Sequence, residues 1–300
     1  MKVEKLSELG GVSVEGVDLS AARSTGEDRV LMALLDEHGL VVFRDQKLTK
    51  RQLVEAGGPF GGAMLNKPTV APDPEALGIS VLSTRGADGD MMPDDPDRIM
   101  GKIEWHSDQG YLVQPNRGKI LYAVQAPPEG GMTGFIDGQL TYNGLPQDLR
   151  EQVEGLHVIQ SWAHSVPYQG VDRDLRRNDD AELHANKFAD VVYPVVYPHP
   201  VTGVKVLNCP PLWAAGFLEL SGPAGEALLA RLEAHITQPQ FQYWHQYRTG
   251  DAVLWDNWRF LHGASGTPGR HVRTLWSMSI NPGPLLGMTT EEAALRQAAA

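Results

Sequence analysis

Apolar residues recur at helical spacing in a few long stretches of this chain and alternate with polar ones in many shorter stretches. Val30, Leu31, Leu34 and Leu35 fall on one side of a helix predicted over 26–37, with Ser24 or Thr25 to cap it and Gly39 to stop it. Residues 40–44, Leu-Val-Val-Phe-Arg, follow as a short strand. Helical spacing returns over 49–56, ended by Gly57-Gly58-Pro59, over 140–153 and 222–236, and in a last helix from Thr289. Strands are predicted at 120–126, 133–137, 156–162, 251–255 and 272–280. Residues 191–206 read as a hairpin returning through His199-Pro200-Val201-Thr202-Gly203. Many short strands with turn signals between them predict a jelly-roll or barrel core. The expected class is α+β, mainly β, with the helices packed outside.

No repeat or low-complexity linker divides the chain, so residues 1–300 read as one domain with two interruptions. One is a loop near 85–100, rich in Asp, Pro, Gly and Met, of a length often found in lids. The other is a charged insertion near 165–190. With 42% hydrophobic residues the 300-residue chain can bury a sizeable core. A net charge of -11 argues against general nucleic-acid binding, which needs a basic footprint, but leaves room for a local basic pocket. The single cysteine, Cys209, excludes an intrachain disulfide and fits the cytoplasm. A small buried apolar side chain is the expectation for it, rather than a catalytic thiol. Neither a signal-peptide run after Met1 nor a stretch of membrane-spanning length is present, so no membrane partner is expected.

Two distant segments carry the candidate chemistry. The first is Trp105-His106-Ser107-Asp108. The second begins at Gly250-Asp251, runs through Trp255-Asp256-Asn257 to His262, and ends at Arg273. Residues two apart on a strand point to the same face, so His106 and Asp108 can reach one ion from a strand end. Two imidazoles and one carboxylate on one face of a metal leave the opposite face open, as non-haem Fe(II) oxygenases require. Arg273, on the strand after His262, is suited to grip one end of a dicarboxylate bidentately while the metal chelates the other. His157, His164, His184, His199, His235, His245 and His271 lack such a combination and are expected to be surface or hydrogen-bonded core residues. A Zn(II) hydrolase could use the same His106, Asp108 and His262. A non-catalytic jelly-roll binding protein is a third reading, since fold does not fix function.

These segments, with Gly130-Gly131-Met132-Thr133 and Thr202-Gly203 before Leu207-Asn208, resemble the taurine dioxygenase family of Fe(II)/2-oxoglutarate-dependent oxygenases, which includes the dichlorophenoxyacetate dioxygenases. The resemblance extends from about Leu40 to Ile280. It implies a double-stranded β-helix with flanking helices, Fe(II) on His106, Asp108 and His262, and the distal carboxylate of 2-oxoglutarate on Thr133 and Arg273. With O2 as second cosubstrate, the implied reaction releases succinate and carbon dioxide and hydroxylates a C–H bond, although some relatives desaturate instead. Asp108 itself argues against halogenation, for which relatives carry a small residue at this position. Dimers and tetramers are common in the family, so a homo-oligomer is open here.

The chain also departs from the taurine enzymes. Ser277 stands where they carry a sulfonate-binding Arg, and 60–66 lacks the His they use. Taurine is therefore not the expected substrate. By family position Tyr111 and Trp162 face the substrate, and Trp213 covers it from a loop. Such a pocket suits a hydrophobic organic small molecule, cyclic, aromatic or a carboxylic acid, met in aromatic-acid catabolism or secondary-metabolite tailoring. Lys102, Arg117 and Lys119 flank the first motif and are expected to be solvated, with a substrate carboxylate as alternative partner. Arg270 either assists Arg273 or is exposed.

Overall fold

Two β-sheets face each other in a computed structural model that describes residues 1–65, 73–85, 95–165 and 188–298. Most of the loop expected near 85–100, most of the insertion near 165–190, Asn66 and His184 lie outside these residues. The major sheet has seven strands in the order β1 (Lys2–Ser7), β2 (Gly10–Glu15), β3 (Leu40–Phe43), β14 (Ala252–Asp256), β6 (Gly118–Gln125), β16 (Thr274–Ser279) and β4 (Ile79–Ser83). The minor sheet has four: β13 (Gln242–His245), β7 (Thr133–Asp137), β15 (Phe260–Pro268) and β5 (Ile99–His106). Pairing is antiparallel throughout both sheets except between β2 and β3. This is the expected jelly-roll core.

Strand alternation explains why both faces of the major sheet are apolar. Leu40, Val42, Leu121, Ala123, Val253, Trp255 and Leu275 point inward and meet Phe135 and Phe260 of the minor sheet. Their neighbours Val41, Phe43, Ile120, Leu254 and Met278 point outward. There Leu31 and Leu35 of α1 (Thr25–His38) and Leu53 and Ala56 of α2 (Lys50–Ala56) cover them. Both helices begin with a capping box, Ser24 with Glu27 and Thr49 with Gln52, and Gly39 closes α1 in the left-handed region. Val30, expected on the buried side of α1, is exposed.

Beneath the minor sheet, Trp105, Ile136 and Leu261 pack on α6 (Gly222–Ile236) and on a third sheet, β12 (Ala214–Phe217), β8 (His157–Gln160), β9 (Val191–Pro194) and β17 (Met288–Thr289). Gly134 permits the close approach here: a Cβ on it would lie 2.4 Å from the Trp105 ring. The final helix, α7, spans Thr290–Ala298.

Three sequence expectations need correction. Residues 140–153 form two helices, α3 (Gly138–Asn143) and α4 (Gln147–Val153), because Pro146 has no N–H to continue the ladder and follows Gly144. The strand expected to reach Trp162 ends at Gln160, and Trp162–Ser165 forms a helical turn, α5. The hairpin is shorter than 191–206: β10 (Val196–Pro198) pairs with β11 (Lys205–Leu207), while β9 joins β8 and β17. The β1–β2 hairpin, β4, β12, β13, β15 and β17 had no predicted counterpart, and β5 was expected only as a strand end at His106. Among the described residues no helix is long and apolar enough to cross a membrane.

Candidate metal and cosubstrate site

His106 is the last residue of β5 and pairs in register with His262 of β15, so the two imidazoles project side by side, ring centroids 4.1 Å apart. Asp108 lies two residues past the end of β5. Its Oδ1 is 3.7 Å from Nε2 of each histidine. The three ligand atoms lie within 4.8 Å of one another, close enough to share one ion. His106 Nδ1 is 2.7 Å from the Glu104 carbonyl. A carbonyl only accepts, so Nδ1 carries the proton and Nε2 offers its lone pair to the shared space.

Asn257, one residue after β14, ties the Asp108 backbone down. It accepts from the Asp108 N–H at 2.7 Å and donates to the Asp108 carbonyl at 2.9 Å. Gln109 next to it takes a left-handed φ of 59°, a sparsely populated backbone conformation stabilised by the hydrogen bond from the Asn116 N–H to its side chain. Asp108 Oδ2 faces Lys119, whose Nζ is 2.5 Å away. Burial raises the Asp108 pKa, but Lys119 and the two imidazoles outweigh it and hold the carboxyl well below its usual range. Burial, then the neighbouring His106, hold His262 well below the usual imidazole value. The set therefore consists of an anionic carboxylate and a buried imidazole that resists protonation, beside a His106 oriented through its other nitrogen. This donor chemistry fits Fe(II) with open positions opposite the three ligands.

Thr133 and Arg273 line the same cavity, of about 420 Å³, as the three ligands. Thr133 opens β7 and lies 3.0 Å through Oγ1 from the Tyr247 hydroxyl. Arg273 immediately precedes β16. Its Nε donates to the Gly131 carbonyl at 2.9 Å, and its guanidinium sits 5.5 Å from the Tyr247 ring centre. Among the described residues, its terminal nitrogens have no hydrogen-bond partner. Burial lowers its pKa, partly offset by Tyr247. Leu82, Met100, Ile103 and Leu121 supply apolar lining, and Leu82 and Ile103 are themselves exposed.

Other expected residues lie elsewhere. Tyr111, Trp162 and Trp213 are buried against one another and Leu212, with Trp162 stacked on Trp213 at 5.9 Å. They do not line the cavity. Trp213 donates to the Ser107 carbonyl, and its ring stands nearly perpendicular to that of His106, with centroids 6.1 Å apart. Ser277 is buried on β16 outside the cavity lining. Lys119 and Arg117, expected to be solvated, are not: Lys119 is half-buried, turned into the cavity by β6 alternation, and Arg117 is buried and pairs with Asp36 and Asp256 over the Trp258 ring. Lys102 is exposed. Arg270 is exposed and pairs with Asp97 and Glu129, away from Arg273. His157, His199, His245 and His271 each meet a carboxylate, and His235 meets a carbonyl. Burial pushes the Cys209 thiol pKa up, which makes it unreactive. The sequence reading missed the roles of Tyr247, Asn257 and Lys119. Lys119 shares the side of Leu121 and Ala123 on β6, but both faces of that strand are apolar, so parity alone did not show which one meets the cavity.

The family model described as taurine catabolism dioxygenase TauD, TfdA family matches residues 2–278. The alpha-ketoglutarate-dependent 2,4-dichlorophenoxyacetate dioxygenase of Cupriavidus pinatubonensis is 32% identical over 266 residues, covering 86% of this chain and 89% of the relative. The (S)-phenoxypropionate/alpha-ketoglutarate-dioxygenase of Sphingobium herbicidovorans is 30% identical over 279 residues, 91% of this chain and 92% of its own. A solved taurine dioxygenase from Burkholderia xenovorans matches 96% of this chain and 95% of that one, with a TM-score of 0.75 and 26% identity.

Proposed function

Because the chain belongs to the TauD, TfdA dioxygenase family, we propose that this Fe(II)- and 2-oxoglutarate-dependent oxygenase hydroxylates a C–H bond of a hydrophobic organic acid. The observation that carries the reading is one cavity holding the His106, Asp108 and His262 triad together with the half-buried guanidinium of Arg273. His106, Asp108 and His262 would hold ferrous iron, which with 2-oxoglutarate and O2 would supply the oxidising power, one oxygen atom going to succinate as carbon dioxide is released and the other to the substrate. The protein contributes position. Arg273 and Thr133 hold the distal carboxylate of 2-oxoglutarate, with Tyr247 bracing both. The inward apolar side chains keep water from the reacting centre. A zinc hydrolase would have no use for Arg273 in this cavity.

Charge supports an acidic substrate. Besides the imidazoles, the charged side chains lining the cavity among the described residues are Asp108, Lys119 and Arg273. A ferrous ion and the 2-oxoglutarate dianion added to these leave one positive charge in excess, which a monoanionic substrate would neutralise. The rim of Leu82, Met100 and Ile103 supports an apolar body for it. Tyr111, Trp162 and Trp213 back the site behind His106 and support apolarity less directly. Ser277 in place of an Arg argues against a sulfonate held from β16. The family match over 2–278 supports reading the chain as one catalytic domain. Substrate families that fit include aromatic acids and natural-product acids.

The test is succinate release with Fe(II), ascorbate and 2-oxoglutarate across a panel of apolar carboxylic acids, with taurine for comparison. Several apolar acids should stimulate release above the uncoupled background, and His106→Ala or anaerobic conditions should abolish it. Stimulation by taurine equal to that by the acids would sink the substrate assignment.

A further inference from the structure

We propose that Lys119 is a positioning residue: its ammonium occupies Asp108 Oδ2, so that the carboxylate offers a bound metal Oδ1 alone. This inference rests on the oxygenase reading and concerns what keeps the metal's remaining positions open. The geometry divides the two carboxylate oxygens. Oδ1 faces both imidazole Nε2 atoms at 3.7 Å. Oδ2 faces Nζ of Lys119 at 2.5 Å. A carboxylate with both oxygens free can chelate a metal, and its second oxygen would then take a position that a bidentate 2-oxo acid needs.

Lys119 is built for this task. It sits on β6, in the middle of the major sheet, paired with Trp255 of β14 on one side and Ser279 of β16 on the other. Its side chain is only 16% exposed, and Asp108 is the one carboxylate lining the cavity among the described residues. An ammonium this close to a divalent ion also repels it, which opposes metal binding. Lys119 is therefore expected to restrain metal affinity while favouring cosubstrate chelation. A side chain that served only to stabilise the fold would move both affinities the same way.

The test uses the full chain loaded anaerobically with Mn(II). Calorimetry gives the Mn(II) and 2-oxoglutarate affinities of the wild type, Lys119→Met and Lys119→Arg, and crystals of the Mn(II) forms give the Asp108 ligation. In Lys119→Met, Mn(II) should bind as tightly as in wild type or more so. Cosubstrate binding should weaken by about tenfold, the loss of one well-made ligand contact, with both Asp108 oxygens on the metal. Lys119→Arg should restore single-oxygen ligation. Should Lys119→Met fail to fold, Lys119→Ala carries the same expectation, since it leaves the carboxylate room to turn. Single-oxygen ligation in either neutral variant, or a parallel loss of both affinities, overturns the proposal. A wild type that binds neither Mn(II) nor 2-oxoglutarate would instead overturn the oxygenase reading beneath it.

Discussion

Arg273 is fixed at three points: its Nε on the Gly131 carbonyl, its guanidinium over Tyr247, and its backbone N–H on the Thr84 hydroxyl. These contacts use the stem and one edge of the guanidinium, so the terminal nitrogens are aimed before any ligand arrives. Arg273→Ala should raise the 2-oxoglutarate KM by tens to about a hundredfold, the effect of about 2–3 kcal/mol for a hydrogen bond to a charged group. Mn(II) affinity should stay near wild type. An unchanged KM would remove Arg273 from the cosubstrate clamp. At this scale the sequence was legible where spacing encodes chemistry. His106 and Asp108 stand two apart at a strand end, and the His262-to-Arg273 interval could be recognised. Lys119 was misread because a lysine near a motif is usually solvated. Its inward direction depends on the register of β6, which only pairing with β14 and β16 defines.

Between elements, Asp251 acts as a knot. It closes the turn before β14, accepts from Arg44 beyond β3 at 2.7 Å and from the Arg248 N–H at 2.9 Å, and lies 3.1 Å from His245 of β13. One carboxylate thus joins β13 of the minor sheet to Arg44 and the start of β14 in the major sheet. Burial raises its pKa, but His245, the Arg248 N–H and Arg44 together lower it below the ordinary carboxyl value. A depressed folded-state pKa gives stability that is full above about pH 4, the unfolded value, and is lost as pH falls through the folded one. Asp251→Asn should therefore cost about 3 kcal/mol at pH 7, as breaking a buried pair does. The gap to wild type in urea unfolding should narrow below pH 4. A gap independent of pH would mean the carboxylate's charge is irrelevant. Elements with strong periodicity, such as α1 with its caps and α6, were legible in sequence. The edge strands β1 and β4 were not, because a strand with one solvated side has no continuous apolar run, and β13 carries Gln, Tyr, Trp and His without clean alternation.

Across the whole molecule, the site residues divide between the two sheets. His106, His262 and Thr133 belong to the minor sheet, whereas Lys119 lies in the major sheet and Arg273 leads into it. A metal binds mainly within the minor sheet and its adjoining turn. A dicarboxylate on that metal and on Arg273 instead spans the sandwich, so it should oppose any separation of the sheets. At a hundred times its Kd such a ligand stabilises by about 2.7 kcal/mol. For a chain of this size that corresponds to a Tm rise of roughly 4 °C. Mn(II) alone should slow amide exchange in β5, β7 and β15, and adding 2-oxoglutarate should extend protection to β16 and β4. In Arg273→Ala the Mn(II) increment in Tm should persist while the 2-oxoglutarate increment disappears, since the ligand then touches one sheet only. Equal 2-oxoglutarate shifts in the two proteins, or protection that never reaches β16, would show that the cosubstrate does not bridge the sandwich.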